Sequence, residues 1–500
     1  MIPAAPRTLG RNAFFAGCIA LVLIAVVLRS LGIDRSLWID EAGSLDQAQA
    51  THFWAQAQND VHPPLYFLVL RGLLHVSSSF VFLRGFSLVC GVGLVGLTLY
   101  ALRAHRLAAL IAGGVFAAWP GLVDHGKELR PYSLWYLLLG ASLLLAGAQW
   151  ERGVVFRRSV LLAFALIIAA CTHLLTFPFI VALTPMLFWP ARTAGPRAWL
   201  SAVWPVVPAA VMLLGWRFGF VSAPDKMQEG WWMPPATVHQ VVWSLNQVSA
   251  WSDIGWLYNW GQRTLAGSGS VLATLALLTA ILTVSMAWVQ KRAATQCWAY
   301  LSVAALYLAT VWGYSLVFEP IVWHRTLLPL ILPLGLSWAW GIANRKSERA
   351  QTVGAGAVAI YVLLALVHPV RTASVPFENL KGLAAQAQSA YRPGDCLVLM
   401  RSLDFALRPY WHDVDATQPI KLNQANPDPR PFEALRERLR ALPENGRVLV
   451  VVREDQYLTA HHERLDALLN DVRATGREVR ERWRDGLYVL YLGERKSGQP

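Results

Sequence analysis

SLWIDEAGSLDQAQATHFWAQAQNDVHPPLY, residues 36–66, is a polar stretch placed directly after the first apolar run of the chain. It carries adjacent carboxylates, Asp40 and Glu41, and then Asp60, His62 and a Pro63-Pro64 corner. What surrounds it is mostly lipid-soluble. Of 500 residues, 55% are hydrophobic and 15% charged, where a soluble chain of this size carries about 25% charge. Charge-free runs recur through the first 370 residues, each near the ~20 residues that cross ~30 Å of hydrocarbon as a helix. The fold class is an α-helical polytopic membrane protein with a small C-terminal α/β domain. Its domains are 1–370, in the membrane, and 371–500, outside it.

Eleven spans are expected, near 12–28, 85–102, 107–123, 133–150, 159–172, 174–190, 198–216, 268–290, 297–318, 326–343 and 351–370. The connecting segments 1–12, 103–106, 151–158, 191–197, 290–296 and 344–350 hold 14 Lys/Arg against 2 Asp/Glu. The segments 32–80, 124–131, 219–265 and 319–325 hold 7 against 11. By the positive-inside rule the first set is cytoplasmic. The acidic loop and the tail then face outward. Leu65–Val76 contains Arg71 and is too short to span, so it reads as an amphipathic helix on the outer surface. The 32 residues of 159–190 reach about 48 Å as one helix. Loop charges favour two short helices turning near Thr172-His173, and one span remains the alternative. The outer loop 219–265 is rich in Trp (Trp231, Trp232, Trp243, Trp251, Trp256, Trp260), suited to lie against lipid or a lipid-like substrate.

The net charge of +13 does not indicate a nucleic-acid partner, because the basic residues sit in short clusters between apolar runs. Cys18, Cys90, Cys171 and Cys297 fall within apolar runs and Cys396 stands alone, so no disulfide framework is present in the pattern. In the tail, strands are expected at Cys396–Met400, Val448–Val452 and Tyr488–Leu492, and helices at Pro376–Ala390, Pro431–Ala441 and Thr459–Ala474. His461-His462 is isolated and shows no metal-ligand spacing.

Ionisable groups recur at membrane-surface depth: Asp40, Glu41, His62, Arg84, Lys127, Glu128, Arg130, His173, Glu319, His324 and Arg325. Such groups are costly beside lipid and are functional candidates, although interfacial Lys and Arg also snorkel without further purpose. Together they supply a carboxylate able to take a proton and cations able to hold a phosphate. That combination suits group transfer from a lipid phosphate. Neighbouring side chains diverge, so Asp40 is assigned as base and Glu41 as an orienting or acceptor-binding group, with the reverse assignment open. No cluster requires a metal, and a divalent cation between carboxylates stays open.

The segments LWIDEAGSLDQAQA (37–50), DVHPPLYFLVLRGLL (60–74), FLRGFSLVCGV (82–92), GKELRPYSLWYLLLGASLLL (126–145), THLLTF (172–177) and WHRTLLPLILPL (323–334) resemble, in that order, one family. It is the bacterial branch of the dolichyl-phosphate-mannose–protein mannosyltransferase superfamily, which has the GT-C fold. The lipid A aminoarabinose transferase and the oligosaccharyltransferase catalytic subunits are more distant relatives. The similarity covers about residues 13–345. It implies an inverting glycosyltransferase of a bacterial inner membrane, its active site and C-terminal domain facing the periplasm, that moves a hexosyl or pentosyl group from a polyprenyl-phosphate sugar to a lipid, glycan or protein acceptor. Asp40 matches the family's catalytic Asp and Glu41 its paired acid. His62 falls where relatives place a donor-phosphate contact, Glu128, Arg130 and Tyr132 match the family's E-x-R-x-Y-like stretch, and His324-Arg325 matches its Arg-Tyr. By their place at headgroup depth, His62, Lys127, Arg130, His324 and Arg325 are assigned to the donor phosphate, and Glu128, Tyr132 and His173 to substrate binding. Thr326 replaces the usual Tyr after Arg325. The contrasting class is a transporter or flippase of lipid-linked sugars, which repeated halves and broken midplane helices would mark.

Overall fold

The computed structural model describes residues 9–58, 60, 62–191, 195–220, 233, 235–248, 291–345, 347–365, 378–400, 403–422, 430–443, 445–453, 459–485 and 488–495. Contacts divide the chain into two compact units. One comprises Met1–Ile33, Trp54–Ser222 and Met233–Ser374; the other joins Asp34–Phe53 to Val375–Pro500.

The first unit is helical. Among the described residues, five helices are long and apolar enough to cross a membrane: Arg11–Ser30, Phe80–Ala101, Tyr132–Arg152, Thr295–Val317 and His324–Ala343. Pro196–Val203 and Val206–Phe220, bent by 45°, form a sixth if they count as one span. Leu65–Leu74, Arg106–Ala118 and Thr176–Trp189 are shorter apolar helices. The chain is thus built as a multi-pass membrane protein. Helices stand at ten of the eleven expected positions, and the run 268–290 lies outside the described residues. Helix faces divide as a lipid solvent requires. In Arg11–Ser30, Ile19, Leu23 and Val27 are exposed at four-residue spacing, while Phe14, Ala25 and Leu28 turn inward. The interior is built from side chains such as Leu139, Leu143, Leu162, Leu166 and Leu183.

Two helix breaks shape the polar loops of this unit. Residues 159–190 do form two helices, Phe156–Thr172 and Thr176–Ala191. His173 between them is extended (φ −154°, ψ 133°). The Leu175 N–H donates to its Nδ1 at 3.1 Å, and the Thr176 hydroxyl donates to the Ala169 carbonyl at 2.9 Å. The turn thus closes on itself and fixes the imidazole.

The second break differs from expectation. The run 107–123 is split at Trp119 into Arg106–Ala118 and Pro120–His125. Pro120 offers no N–H and forces Trp119 into an extended conformation (ψ 123°). The orphaned carbonyls of the first piece are taken by Arg29, fully buried, which donates to Phe116 at 2.9 Å and Ala117 at 2.8 Å. Gly91 and Gly126 make room for it. A Cβ on Gly126 would sit 2.6 Å from the Arg29 Nε, and one on Gly91 2.5 Å. Arg29 is therefore a structural cation, and it anchors the break from which residues 125–132 hang.

The second unit is an α/β domain with a five-stranded sheet in the order β2-β1-β3-β5-β4. The strands are β1 Cys396–Met400, β2 Ile420–Leu422, β3 Val448–Arg453, β4 Arg477–Asp485 and β5 Tyr488–Arg495. β2, β1 and β3 run parallel, while β5 is antiparallel to both β3 and β4. Val398, Val450, Leu468 and Val472 lie in its core. Helices Leu380–Ala390, Arg430–Ala441 and Thr459–Ala474 stand at the expected places. β4, REVRERWRD, was not expected as a strand: it is a charged edge with few apolar residues, as edge strands tend to be. Asp34–Phe53 lies between two membrane helices in sequence, yet it folds into this unit as the helix Ile39–Gln49.

Candidate functional site

In the helical unit, three loops bring the predicted groups together. Asp60 Oδ1 accepts from the His62 N–H at 2.8 Å and shapes the turn ahead of Pro63-Pro64. The Ser87 hydroxyl donates to the Glu128 carbonyl at 2.6 Å, and the Ser133 hydroxyl donates to the Ser87 carbonyl at 2.7 Å, which pins the 126–132 turn to the helix Phe80–Ala101. The His173 turn supplies the third loop.

The rings of His62 and His173 lie 4.7 Å apart, and His173 stacks on Trp135 at 4.4 Å and 18°. Arg130, buried, donates from Nη2 to His62 Nε2 at 3.3 Å, and its guanidinium carbon is 5.8 Å from the Tyr132 ring centre. Tyr132 lies 5.5 Å from His173 and 4.4 Å from His125. His125 Nδ1 and Glu128 Oε2 share a hydrogen at 2.7 Å, both buried. Arg325 lies within electrostatic reach of Tyr136, and His324 within reach of His125. His62, Glu128, Arg130, Tyr132, His173, His324 and Arg325 therefore belong to one neighbourhood. Lys127 is fully buried; its Nζ donates to the Leu31 carbonyl at 3.2 Å and forms an ion pair with Asp124 Oδ1 at 3.3 Å, contacts that brace the loop.

The hydrogen bonds also settle the tautomers. His62 Nε2 accepts from Arg130, so its hydrogen is on Nδ1; His173 Nδ1 accepts from Leu175, so its hydrogen is on Nε2. Both of these N–H groups, the Tyr136 hydroxyl and His324 Nδ1 are buried and meet no hydrogen-bond partner among the described residues. Each unpaired group of this kind costs about 1–3 kcal/mol, and native interiors pair more than about 90% of them. Several in one neighbourhood, next to two arginines, are groups of the kind that a ligand rich in acceptor oxygens would satisfy.

Burial pushes the His62 imidazole down to about 3, and Arg130 presses the same way. Burial, with His62, Arg130 and His125 as neighbours, also holds His173 well below its ordinary value. Both rings are thus neutral donors at physiological pH. The unfolded chain protonates His62 near 6.5, so between that pH and about 3 the unfolded state binds more protons. Stability is complete above about pH 6.5 and falls as the pH drops toward 3. His62 meets solvent in part, so the loss is on the order of a few kcal/mol or less. Melting temperatures of wild type and His62→Asn from pH 7 to 4 check this: the wild type falls more steeply.

His125 escaped the sequence reading, although its three-residue spacing from Glu128 on a helical turn was a visible signal. The Thr326 hydroxyl oxygen lies 2.6 and 2.7 Å from the Ile321 and Trp323 carbonyls, so its one hydrogen is given to either of them, and it closes the turn ahead of Leu327. In the Trp-rich loop, Trp243 stands on the helix Val238–Val248, 4.7 Å from Trp323 and 6.0 Å from His324. Trp231, Trp232, Trp251, Trp256 and Trp260 lie outside the described residues.

The acidic pair belongs to the second unit. Asp40 and Glu41 occupy the first turn of the helix Ile39–Gln49, where the positive end of the helix dipole favours carboxylates. Glu41 is fully buried, and its Oε2 accepts from the Trp38 N–H at 3.2 Å, so it caps its own helix. Asp40 is part-exposed, and its backbone carbonyl accepts from the Ser44 hydroxyl at 3.0 Å. Among the described residues, no group of three His, Cys, Asp or Glu is placed to hold a metal ion.

No protein-family profile matches the sequence, and no curated protein matches it. Solved structures do. ArnT from Cupriavidus metallidurans bound to undecaprenyl phosphate superposes with a TM-score of 0.59 at 14% identity, covering 97% of this chain and 98% of that one. ArnT from the same organism in the apo state gives 0.58 at 13% identity, with 96% and 98% covered. The likeness runs the length of both chains, and this protein has their fold, the GT-C fold.

Proposed function

We propose that the protein is an integral-membrane, inverting glycosyltransferase that moves a sugar from a polyprenyl-phosphate donor to an acceptor hydroxyl on the periplasmic side of a bacterial inner membrane. The observation that carries this reading is the neighbourhood of buried, partnerless N–H and O–H groups beside Arg130 and Arg325. A phosphate supplies the acceptors those groups lack. That a protein of the same fold is bound to undecaprenyl phosphate supports it. Such a donor suits the setting: a C55-type tail stays in the bilayer at about 0.8 kcal/mol per buried CH₂, and its phosphate travels at headgroup depth.

In the step proposed, the acceptor oxygen forms a bond to C1 of the sugar while the C1–O bond to phosphate breaks. The hydroxyl proton passes to Asp40, and the polyprenyl phosphate departs with the bonding pair. His62, Arg130, His173 and Tyr136 stabilise the charge gathering on the leaving phosphate. Because the two histidines are held neutral, they donate hydrogen bonds without giving up protons. Trp243 beside His324 is suited to cover the donor and limit hydrolysis.

Mass spectrometry of envelope lipids and glycans from cells with and without the gene tests the reading. A hexose-, pentose- or aminosugar-sized mass, present only with the gene, is expected on one envelope component. In cells lacking the gene the unused lipid-linked sugar is expected on the periplasmic side; its accumulation on the cytoplasmic side favours the flippase instead.

A further inference from the structure

The second unit holds a buried carboxylate that takes no part in the proposed reaction. Glu378 precedes the helix Leu380–Ala390, and its side chain is 1% exposed. Its Oε1 accepts from Arg453 Nη2 at 2.7 Å. Its Oε2 accepts from the Tyr488 hydroxyl and from the Ile39 backbone N–H at 2.9 Å. Ile39 is the first residue of the helix whose second residue is Asp40.

A buried carboxylate is expensive unless paired and hydrogen-bonded, and this one is satisfied on both oxygens from three separate segments. β3 contributes Arg453, β5 contributes Tyr488, and the acidic loop contributes its amide. A helix start is usually capped by its own Ser, Thr, Asp or Asn. Here the N-cap residue is Trp38, which offers no such acceptor. Glu41 takes the Trp38 N–H from within, and Glu378 takes the next amide from about 340 residues away in sequence. Nearby bonds hold the approach to the helix: the Leu37 N–H donates to the Tyr410 hydroxyl oxygen at 2.7 Å, and the Lys381 N–H donates to the Ser36 hydroxyl oxygen at 3.1 Å. At the far end, Arg408 donates to Asp46 at 2.7 Å.

We infer that Glu378 is a positioning residue: braced by Arg453 and Tyr488, it fixes the first turn of the Ile39–Gln49 helix and thereby aims the Asp40 carboxylate. The C-terminal domain on this view is a working part of the transferase. The inference rests on the glycosyltransferase reading for its catalytic consequence, but its structural half stands without it.

The test uses the full-length protein in nanodiscs and two readouts. Glu378→Gln keeps the volume and loses the charge. Tyr488→Phe is the milder variant, leaving the carboxylate–Arg453 pair in place. The first readout is amide hydrogen exchange. Glu378→Gln exchanges faster across the 37–45 backbone, while the β1 and β3 amides keep wild-type protection. The second is transfer kinetics. Loss of a hydrogen bond to a charged group corresponds to about 10–100-fold in rate. In Glu378→Gln kcat falls by that factor with the donor KM within about twofold of wild type. Tyr488→Phe gives the same pattern with a smaller fall. Wild-type exchange across 37–45 in both variants overturns the inference. So does loss of protection throughout the sheet in both, or a rise in donor KM matching the fall in kcat. Absence of transfer by the wild type would defeat the glycosyltransferase reading, while the exchange readout would still decide whether Glu378 holds the helix.

Discussion

Cells carrying Asp40→Asn are expected to lose the sugar addition that wild-type protein supports, with the protein still folded and inserted. Removing a positioned general base typically costs about 10²–10⁴-fold, enough to erase a product mass. Asn keeps the size of the side chain, and the bonds that place the first turn are made by Glu41 and Glu378 with the Trp38 and Ile39 amides. The helix Ile39–Gln49 therefore persists, less the roughly 0.3–1 kcal/mol that a carboxylate contributes at a helix N-terminus. The neighbouring acid behaves differently. Glu41→Gln keeps an oxygen that can accept from the Trp38 N–H but removes the charge from the helix N-terminus, worth about 0.3–1 kcal/mol, and shows itself mainly as lower stability with a partial loss of transfer. Complementation of the gene deletion by wild type, Asp40→Asn and Glu41→Gln, read by envelope mass spectrometry and by melting temperature, separates the two roles. Full complementation by Asp40→Asn removes it as base.

Much of this architecture arises from local rules. Apolar runs and their flanking charges place the helices, and short β-branched or Leu-rich runs place β1, β3 and β5, because both signals repeat within a few residues. The two-helix reading of 159–190 rested on loop charges, and the His173 turn explains it. The split at Trp119 was also locally visible, in Pro120, but the apolar run masked it. Other features depend on contacts far apart in sequence. Nothing local marks Arg29 as the cap of a helix about 90 residues later, or Glu378 as the partner of the Ile39 amide. β4 was missed because a charged edge strand lacks the alternation that identifies strands. At the site, the residue types were legible one by one. The tautomers of His62 and His173, and the partnerless donors they create, needed the folded geometry.

The second large effect concerns Arg130. It brings a full positive charge into contact with His62, whose ring lies 4.7 Å from that of His173, and its bond to His62 selects which imidazole nitrogen carries the hydrogen. Arg130→Gln removes the charge and loosens that selection together. Hydrogen bonds to charged groups are worth about 1.5–3 kcal/mol, so affinity for a lipid phosphate is expected to fall about 10–100-fold, with little change for a lipid lacking the phosphate. The direct measurement is equilibrium binding of undecaprenyl phosphate and of undecaprenol to the protein in nanodiscs at neutral pH, for wild type and Arg130→Gln. Wild type is expected to prefer the phosphate-bearing lipid by at least about tenfold, and Arg130→Gln to lose most of that preference. Equal binding of the two lipids by wild type, or an undiminished preference in Arg130→Gln, would contradict a phosphate cradle at this site.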